Sequence, residues 1–444
     1  MTVLSFEQAP PISVPFRFFL TAPAFGAVAG LVLAVLGPET LQSRWSPGAL
    51  AMTHLFAAGF MLQVMCGSLL QFVAVVAGAN IWRPRFVANV VHPLLTAGAL
   101  VLAAAFLLGQ ASLFLPAAVM LGVGLGFFLA VIAVALVRTP ARSASIHVLR
   151  AAVLGLLVTA ALGTMVALAL ALPGHVGTGG PLLPWIDVHA AWGLGGWALM
   201  LVVGVSYMVV PMFQLTPAYP VWLTRALPAG LLVALALFTL QLVPGADWIE
   251  PWLPWVAMSG VLVAAGYAAT TLWLQAKRRR RQVDATFVLW RAAMLSLLAL
   301  ALSSVAFLAL PEWGAADRAP VWLGVLAMPG VFMSVIIGML YKIMPFLNWL
   351  HLQQQGGTVT SMPNMKQMIP EAAMRGQMRL HFAALALLLA AVPFGFLAVP
   401  AGLALIASSL RLLWNLLGAA RVYLLCSARL RARPPSPVLQ PRRT

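Results

Sequence analysis

One stretch of the sequence, Asp187–Phe213, constrains the fold more than any other. It is apolar, it is long enough to span a membrane, and no charged residue follows Asp187 within it. Glycines recur on one face of the stretch, at Gly193 and Gly196, and a histidine, His189, lies near its start. A helix needs about 20 predominantly apolar residues to cross the hydrocarbon core of a bilayer. The stretch therefore predicts a transmembrane helix.

Twelve such segments are predicted along the 444-residue chain, which is 62% hydrophobic and 8% charged. No soluble domain can bury that much apolar surface, whereas a bilayer removes the need to bury it. We therefore predict an all-α, polytopic membrane protein whose first segment stays in place as an anchor. The predicted spans are residues 16–36, 49–77, 92–112, 114–137, 148–172, 186–213, 222–243, 252–275, 286–310, 321–347, 380–397 and 399–424.

Weaker relatives of the first stretch occur at Met52–Gly78 and Pro320–Leu347, which indicates an internal repeat. The second and third copies share the pattern G-x-x-Y-x-x-x-P, which begins at Gly204 and at Gly338. The first copy retains only the glycine of this pattern, Gly67. We predict three four-helix units followed by a disordered basic tail, at residues 1–140, 141–284, 285–428 and 429–444 respectively.

Positive charge is distributed unevenly among the predicted loops. The loops after even-numbered spans carry thirteen Lys or Arg residues, whereas those after odd-numbered spans carry only Arg44 and Arg318. Cytoplasmic loops are enriched in Lys and Arg, so both termini are predicted to be cytoplasmic in a bacterial-type inner membrane. We interpret Lys277–Arg281 as a stop-transfer patch that contacts phosphate groups. The net charge of +17 is thus a topology signal, and no nucleic-acid partner is expected.

Two histidines, His54 and His189, are predicted near the outer ends of spans 2 and 6. Ionisable groups inside a bilayer are costly, which makes them candidates for a function. Imidazole is the commonest metal ligand and a frequent axial ligand of haem iron, so we predict that these two residues bind a cofactor. The alternative is a hydrogen-bonded interfacial histidine between closely packed helices. Asp187 is expected to orient the His189 ring or to cap its helix.

The other ionisable residues are predicted to have structural roles. Four histidines fall at inner helix ends, where we expect them to contact water or lipid headgroups, and Lys342 is expected to extend to the cytoplasmic interface. The chain has two cysteines, too few for a disulfide framework, and it lacks nucleotide-binding, metalloprotease and Ser-His-Asp motifs. The four histidines are His92, His147, His351 and His381.

Two segments carry a resemblance to a known family: THLFAAGFMLQVMCGSLLQ, which contains His54, and VHAAWGLGGWALMLVVGVSYMVVP, which contains His189. Together with twelve spans in three four-helix units, they resemble subunit I of the haem–copper oxidase superfamily, including its nitric oxide reductase and cbb-type branches. In that family a span-2 histidine binds the low-spin haem and a span-6 histidine binds copper. The resemblance implies haem b as the cofactor, copper as a second candidate, and a respiratory-complex subunit or cytochrome as a partner besides the lipid bilayer.

The sequence departs from that family in spans 7 and 10. The family's histidine pair in span 7 and its His-x-His in span 10 are both missing, because residues 222–243 and 321–347 contain no histidine. We therefore predict a haem- or metal-binding protein linked to respiratory or nitric oxide redox processes, without oxygen reduction by the usual binuclear mechanism. The alternatives that remain open are a transporter or cofactor-export protein without a redox centre, and a purely structural partner.

A single cysteine placed beside Lys277 tests the predicted topology, once Cys66 and Cys426 have been replaced. Because this loop is expected to be cytoplasmic, a membrane-impermeant maleimide should label it only after cells are permeabilised. A cysteine at His175, in a predicted outer loop, is the matched control and should react in intact cells. Labelling beside Lys277 in intact cells would contradict the topology.

Overall fold

The computed structural model describes residues 9–76, 78–139, 142–175, 180–279, 282–314, 316–356 and 362–432. Within these ranges the chain is helical and contains no strand, which confirms the predicted all-α fold. Twelve long helices, several of them with short 3-10 or π-helical stretches, follow one another: α1 Ser13–Leu41, α2 Pro47–Val75, α3 Pro84–Leu108, α4 Ala111–Arg138, α5 Ala144–Ala171, α6 Leu182–Gln214, α7 Val221–Leu242, α8 Asp247–Ala276, α9 Ala285–Ala309, α10 Ala319–Gln354, α11 Glu371–Ala391 and α12 Gly395–Arg431.

Within the described ranges, eleven of these helices are long and apolar enough to cross a membrane. The exception is α11, whose first turns carry Glu371, Arg375 and Arg379. These charges lower the mean hydropathy of the helix, although its later turns are apolar. The protein is a multi-pass helical membrane protein, and the span predicted at 380–397 corresponds to a helix that begins earlier and is less apolar than expected.

Several predicted boundaries are wrong. The loop between the spans predicted at 321–347 and 380–397 is shorter than expected, because α10 continues to Gln354 and α11 begins at Glu371. It contains a helical turn, Met365–Met368, which the Asn364 side chain caps. The boundary predicted between spans 380–397 and 399–424 lies instead at residues 392–394, between α11 and α12. Residues 429–431 of the predicted tail are helical, and residues 433–444 lie outside the described residues.

Three helices, α2, α6 and α10, form the centre of the bundle. Over their most apolar stretches 83%, 67% and 83% of the residues are buried, compared with at most 50% in each of the other spans. The remaining helices pack around them, mostly against their neighbours in sequence, and α12 packs along α1. Helix α3 packs against α4, and α11 packs against α12. Burial thus singles out the three helices in which the sequence repeat was detected.

The contact between α1 and α12 depends on two facing glycines. A Cβ atom on Gly402 would lie 2.6 Å from the carbonyl oxygen of Gly30 and 2.6 Å from the amide nitrogen of Ala34. A Cβ atom on Gly30 would lie 2.7 Å from the carbonyl oxygen of Gly402. Small residues allow membrane helices to approach closely, so this pair sets the distance at which the first and last helices meet.

An ion pair connects α10 to the start of α9. Lys342 Nζ lies 2.9 Å from Asp284 Oδ2, and neither side chain is more than 25% exposed. Asp284 also caps α9, because its Oδ1 accepts hydrogen bonds from the Phe287 amide at 2.9 Å and the Thr286 hydroxyl at 2.8 Å. Lys342 therefore has a partner of opposite charge at the start of α9, since a carboxylate within reach is a better partner than water for a half-buried ammonium group. Its extension to the cytoplasmic interface stays a prediction.

Replacing Gly402 by Ala should lower the free energy of unfolding by about 1–3 kcal/mol, because the added Cβ overlaps the backbone of α1. Gly418 is the matched control, since it lies on the same helix and a Cβ there meets no atom within 4 Å. Its replacement by Ala should be neutral or stabilising by up to about 1 kcal/mol. Thermal unfolding of both variants in detergent checks this, and equal melting temperatures would contradict the packing.

The Asp284–Lys342 pair predicts a pH-dependent stability. Burial raises the pKa of the Asp284 carboxyl, but hydrogen bonds and charge from Lys342 outweigh burial and place its pKa below the usual value. The stabilisation is therefore complete above the unfolded-state pKa of about 3.9 and is lost as the pH falls through the lower folded-state pKa. Asp284→Asn, which keeps a capping oxygen, should cost about 1–2 kcal/mol at neutral pH.

The stability of the Asp284→Asn variant relative to the unmodified protein, measured at low pH, supplies the control. Once Asp284 is protonated, the unmodified protein also lacks the negative charge, so its stability should approach that of the Asp284→Asn variant. Chemical unfolding of both proteins from pH 7 down to pH 3 measures the difference. A difference that does not shrink on acidification would show that the charge of Asp284 is not its cause.

Candidate functional site

Each central helix contains one stretch of π-helix, at Leu55–Met61 in α2, Trp192–Leu199 in α6 and Leu326–Met333 in α10. The three stretches begin at equivalent positions of the repeat, because each starts the same distance before the glycine of its copy, Gly67, Gly204 or Gly338. The backbone irregularity therefore recurs with the sequence repeat. π-Helical turns are rare and frequently occur at functional sites. The division into three four-helix units stays a prediction.

Both candidate histidines lie just before a π-helical stretch. His54 directly precedes the stretch in α2, and His189 precedes the one in α6 by three positions. When Gly67 is aligned with Gly204, His54 aligns with Ala191, so the two histidines differ by two positions in the repeat. Because α2 and α6 carry the π-helical stretch at equivalent positions, the stretch does not remove the two-residue offset between His54 and His189.

The His54 ring is held by its own helix. Its Nδ1 atom lies 2.8 Å from the carbonyl oxygen of Leu50, and one face of the ring stacks on Phe106 of α3 at a centroid distance of 5.0 Å. A carbonyl oxygen only accepts hydrogen bonds, so Nδ1 carries the proton and Nε2 keeps a lone pair. The phenyl ring of Phe106 lies against one face of the imidazole, and not against its Nε2 edge.

The His189 ring is held by the neighbouring helix α5. Its Nδ1 atom donates to the carbonyl oxygen of Thr159 at 3.0 Å, so its Nε2 atom also keeps a lone pair. The ring packs on Gly163, where a Cβ atom would lie 2.6 Å from His189 Cε1. Helix α5 comes this close because Gly155 faces the backbone of Gly196. The sequence reading missed Gly163 and Thr159, since neither belongs to a motif.

The two histidines belong to the ends of α2 and α6 that an ion pair connects. Arg44, in the connection between α1 and α2, forms an ion pair with Asp187 of α6 at 2.8 Å and so links the two helices at this end. The prediction for Asp187 is therefore wrong: its carboxylate binds Arg44, while a backbone carbonyl orients His189, and α6 has no side-chain cap.

The remaining histidines differ from the prediction in two cases. His381 is 1% exposed and its Nε2 lies 2.8 Å from the Ser334 hydroxyl, and His351 is 9% exposed. Neither is an interfacial residue in contact with water, because the helices that carry them pack deeper in the bundle than their sequence positions indicate. His92 is half-buried beside the Thr21 hydroxyl at 2.9 Å, and His147 is exposed as expected.

The glycines of α6 serve helix packing. A Cβ atom on Gly204 would lie 3.0 Å from Val148 of α5, and one on Gly196 would lie 3.3 Å from Leu235 of α7. The stripe that includes His189 therefore faces neighbouring helices. This arrangement gives no support to the alternative of a glycine-lined transport path along α6.

The arrangement of the two histidines matches that of ligand imidazoles in proteins. A histidine that binds a metal usually donates its other ring nitrogen to a carbonyl or carboxylate, which fixes the tautomer and aims the ring. Among the described residues there is no group of three or more His, Cys, Asp or Glu side chains that could hold a metal ion. The two imidazoles are therefore not part of a larger cluster of such ligands within the described residues.

No protein-family model matches the chain, and no curated protein is detectably similar to it. The resemblance to subunit I of the haem–copper oxidases therefore stays a hypothesis that rests on the two quoted segments and on the predicted arrangement of spans.

Proposed function

We propose that this protein binds haem b through His54, near the end of the bundle opposite the basic loops, and serves a respiratory or nitric oxide redox process. The observation that supports the proposal most is the shared state of the two imidazoles. Each of His54 and His189 donates its Nδ1 proton to a backbone carbonyl and keeps its Nε2 lone pair for a ligand. Histidines that bind a metal usually have their other ring nitrogen hydrogen-bonded in this way.

Nε2 of His54 would hold the haem iron, and the contact with Phe106 lies on the face of the imidazole ring. His54 is the predicted axial ligand, and His189 supplies a second imidazole on the neighbouring central helix. A haem held in this way supplies one-electron transfer or binding of a diatomic gas, depending on whether its sixth position is filled.

Copper is the second candidate, because imidazole nitrogen suits copper as well as iron. It would need both Nε2 atoms, whereas a haem needs only one. The absence of a third His, Cys, Asp or Glu ligand beside them within the described residues favours the haem. A bacterial-type inner membrane and a respiratory-complex subunit or cytochrome as partner belong to the same proposal.

Replacing His54 by Ala tests the proposal. The variant loses the axial bond but keeps an apolar helix, so haem per protein should fall at least about tenfold while protein yield stays near normal. His147→Ala is the matched control, because that imidazole is exposed. His189→Ala should retain haem and change the spin state in the absorption spectrum if His189 fills the sixth position.

Chemical rescue distinguishes ligation from structural support. In His54→Gly, millimolar imidazole added to the purified protein should occupy the vacated space beside Phe106 and restore haem binding. Full haem retention in His54→Ala would reject the ligand assignment. Absence of haem from the unmodified protein, produced with ample haem, would reject the haem proposal, and copper found by elemental analysis would then favour the second candidate.

A further inference from the structure

A polar pocket lies at the basic end of the bundle, where the end of α4 meets the start of α5. It has a volume of about 480 Å³. Four of its five wall residues carry a polar or basic side chain, and two of them are arginines. The wall consists of Val137, Thr139, Arg142, His147 and Arg150.

The guanidinium group of Arg150 is held in place and only partly used. Its Nε and Nη2 atoms donate to the carbonyl oxygen of Leu136 at 3.3 and 2.9 Å, so a side chain of α5 caps the last turn of α4. A guanidinium group has five N–H donors in a rigid fork. Arg150 makes no other side-chain hydrogen bond within the described part of the chain. Its remaining donors are therefore available to a ligand.

Arg142 brings a second positive charge to the pocket. It is exposed, and it forms no hydrogen bond or ion pair with the side chains that the structure describes. No carboxylate lines the pocket, and the sequence contains no Asp or Glu between Glu39 and Asp187. At the basic end Asp284 and Glu371 each form an ion pair with another basic residue. The two arginines therefore lack a counter-ion from the described residues.

The repeat supplies a reference for this arrangement. Arg291 of α9 corresponds to Arg150, because each begins the sequence Arg-Ala-Ala and follows the N-cap residue of its helix by seven positions. The N-cap residue is a serine, Ser143, in α5 and a carboxylate, Asp284, in α9. Arg291 is exposed and does not belong to the pocket. An equivalent arginine without the pocket is thus present in the same chain.

The chemistry of the pocket suits a phosphate group. Arginine binds phosphate through parallel N–H···O hydrogen bonds, and basic pockets between membrane helices bind anionic lipid headgroups. The apolar side chains beside the pocket favour a lipid as the source of the phosphate. Val137 of the wall is 76% exposed, and Val134, one turn earlier on α4, is 49% exposed. Acyl chains can therefore lie along α4 while the phosphate group contacts the arginines.

We propose that Arg142 and Arg150 bind a phosphate group, carried by an anionic membrane lipid whose acyl chains lie on Val134 and Val137. The donors that Arg150 does not use for Leu136 meet the phosphate oxygens, and Arg142 closes over them from the connection between the helices. The pocket lies at the end of the bundle opposite the histidine pair. The proposal therefore holds or fails independently of haem binding.

Three probes added to the full-length, delipidated protein in detergent test the proposal. Dioleoylphosphatidylglycerol carries the phosphate group, dioleoylglycerol has the same acyl chains without it, and inorganic phosphate is the anion without the chains. Native mass spectrometry measures the affinity for the first bound lipid, and equilibrium dialysis measures the affinity for radiolabelled phosphate. The unmodified protein should bind the phosphatidylglycerol more tightly than the dioleoylglycerol. In Arg142→Gln, phosphatidylglycerol affinity should fall about fivefold while dioleoylglycerol affinity is unchanged.

Two further variants complete the test. Arg150→Gln, whose amide can still donate to Leu136, should weaken phosphatidylglycerol binding as Arg142→Gln does. Arg291→Gln removes the same charge from α9, outside the pocket, and should leave the affinity nearly unchanged.

The proposal is overturned if the unmodified protein binds phosphatidylglycerol no more tightly than dioleoylglycerol and binds no inorganic phosphate. It is equally overturned if Arg142→Gln and Arg291→Gln lower the phosphatidylglycerol affinity by the same factor, as a non-specific surface charge would. Inorganic phosphate that binds the unmodified protein but not Arg142→Gln, without any preference for phosphatidylglycerol, would support the phosphate site and overturn the lipid as its source.

Discussion

In the interior of a membrane bundle a polar group that finds no partner within the protein has no water to replace it. This constraint explains most of the polar contacts described above. Asn348 donates to the carbonyl oxygen of Ala419 at 2.8 Å, and Gln377 donates to the Ser408 hydroxyl at 3.2 Å, so α10, α11 and α12 are fixed to one another.

The two histidines follow the same rule, because the Nδ1 atoms of His54 and His189 each donate to a backbone carbonyl oxygen, that of Leu50 and that of Thr159. A backbone hydrogen bond of this kind holds an imidazole in one tautomer and one orientation, and it leaves the Nε2 lone pair for a coordinate bond.

The sequence predicted the spans well and the side-chain partners poorly, for physical reasons. Apolar length reports on the bilayer, so the helices followed directly from the sequence. Partners such as Thr159 for His189, Arg44 for Asp187 and Asp284 for Lys342 come from distant parts of the chain, and no local pattern specifies them. Helix α11 was predicted to begin too late because its first turns carry charges that resemble a loop. Neither the central position of the repeated segments nor their π-helical stretches was predicted.

The π-helical stretches separate the two ends of each central helix. The histidines precede them, and a cavity lined mainly by α2, α6 and α10 follows them, from Val64 in α2, Leu201 in α6 and Val335 in α10. A π turn contains one more residue than the α-helical turn, so it rotates the rest of the helix relative to what precedes it. Because the irregularity is repeated in all three helices, the wall of the cavity has equivalent positions on all three. The residues before the irregularity differ between the copies: α2 and α6 carry histidines there, and α10 carries Leu323 and Val325 at the matching positions.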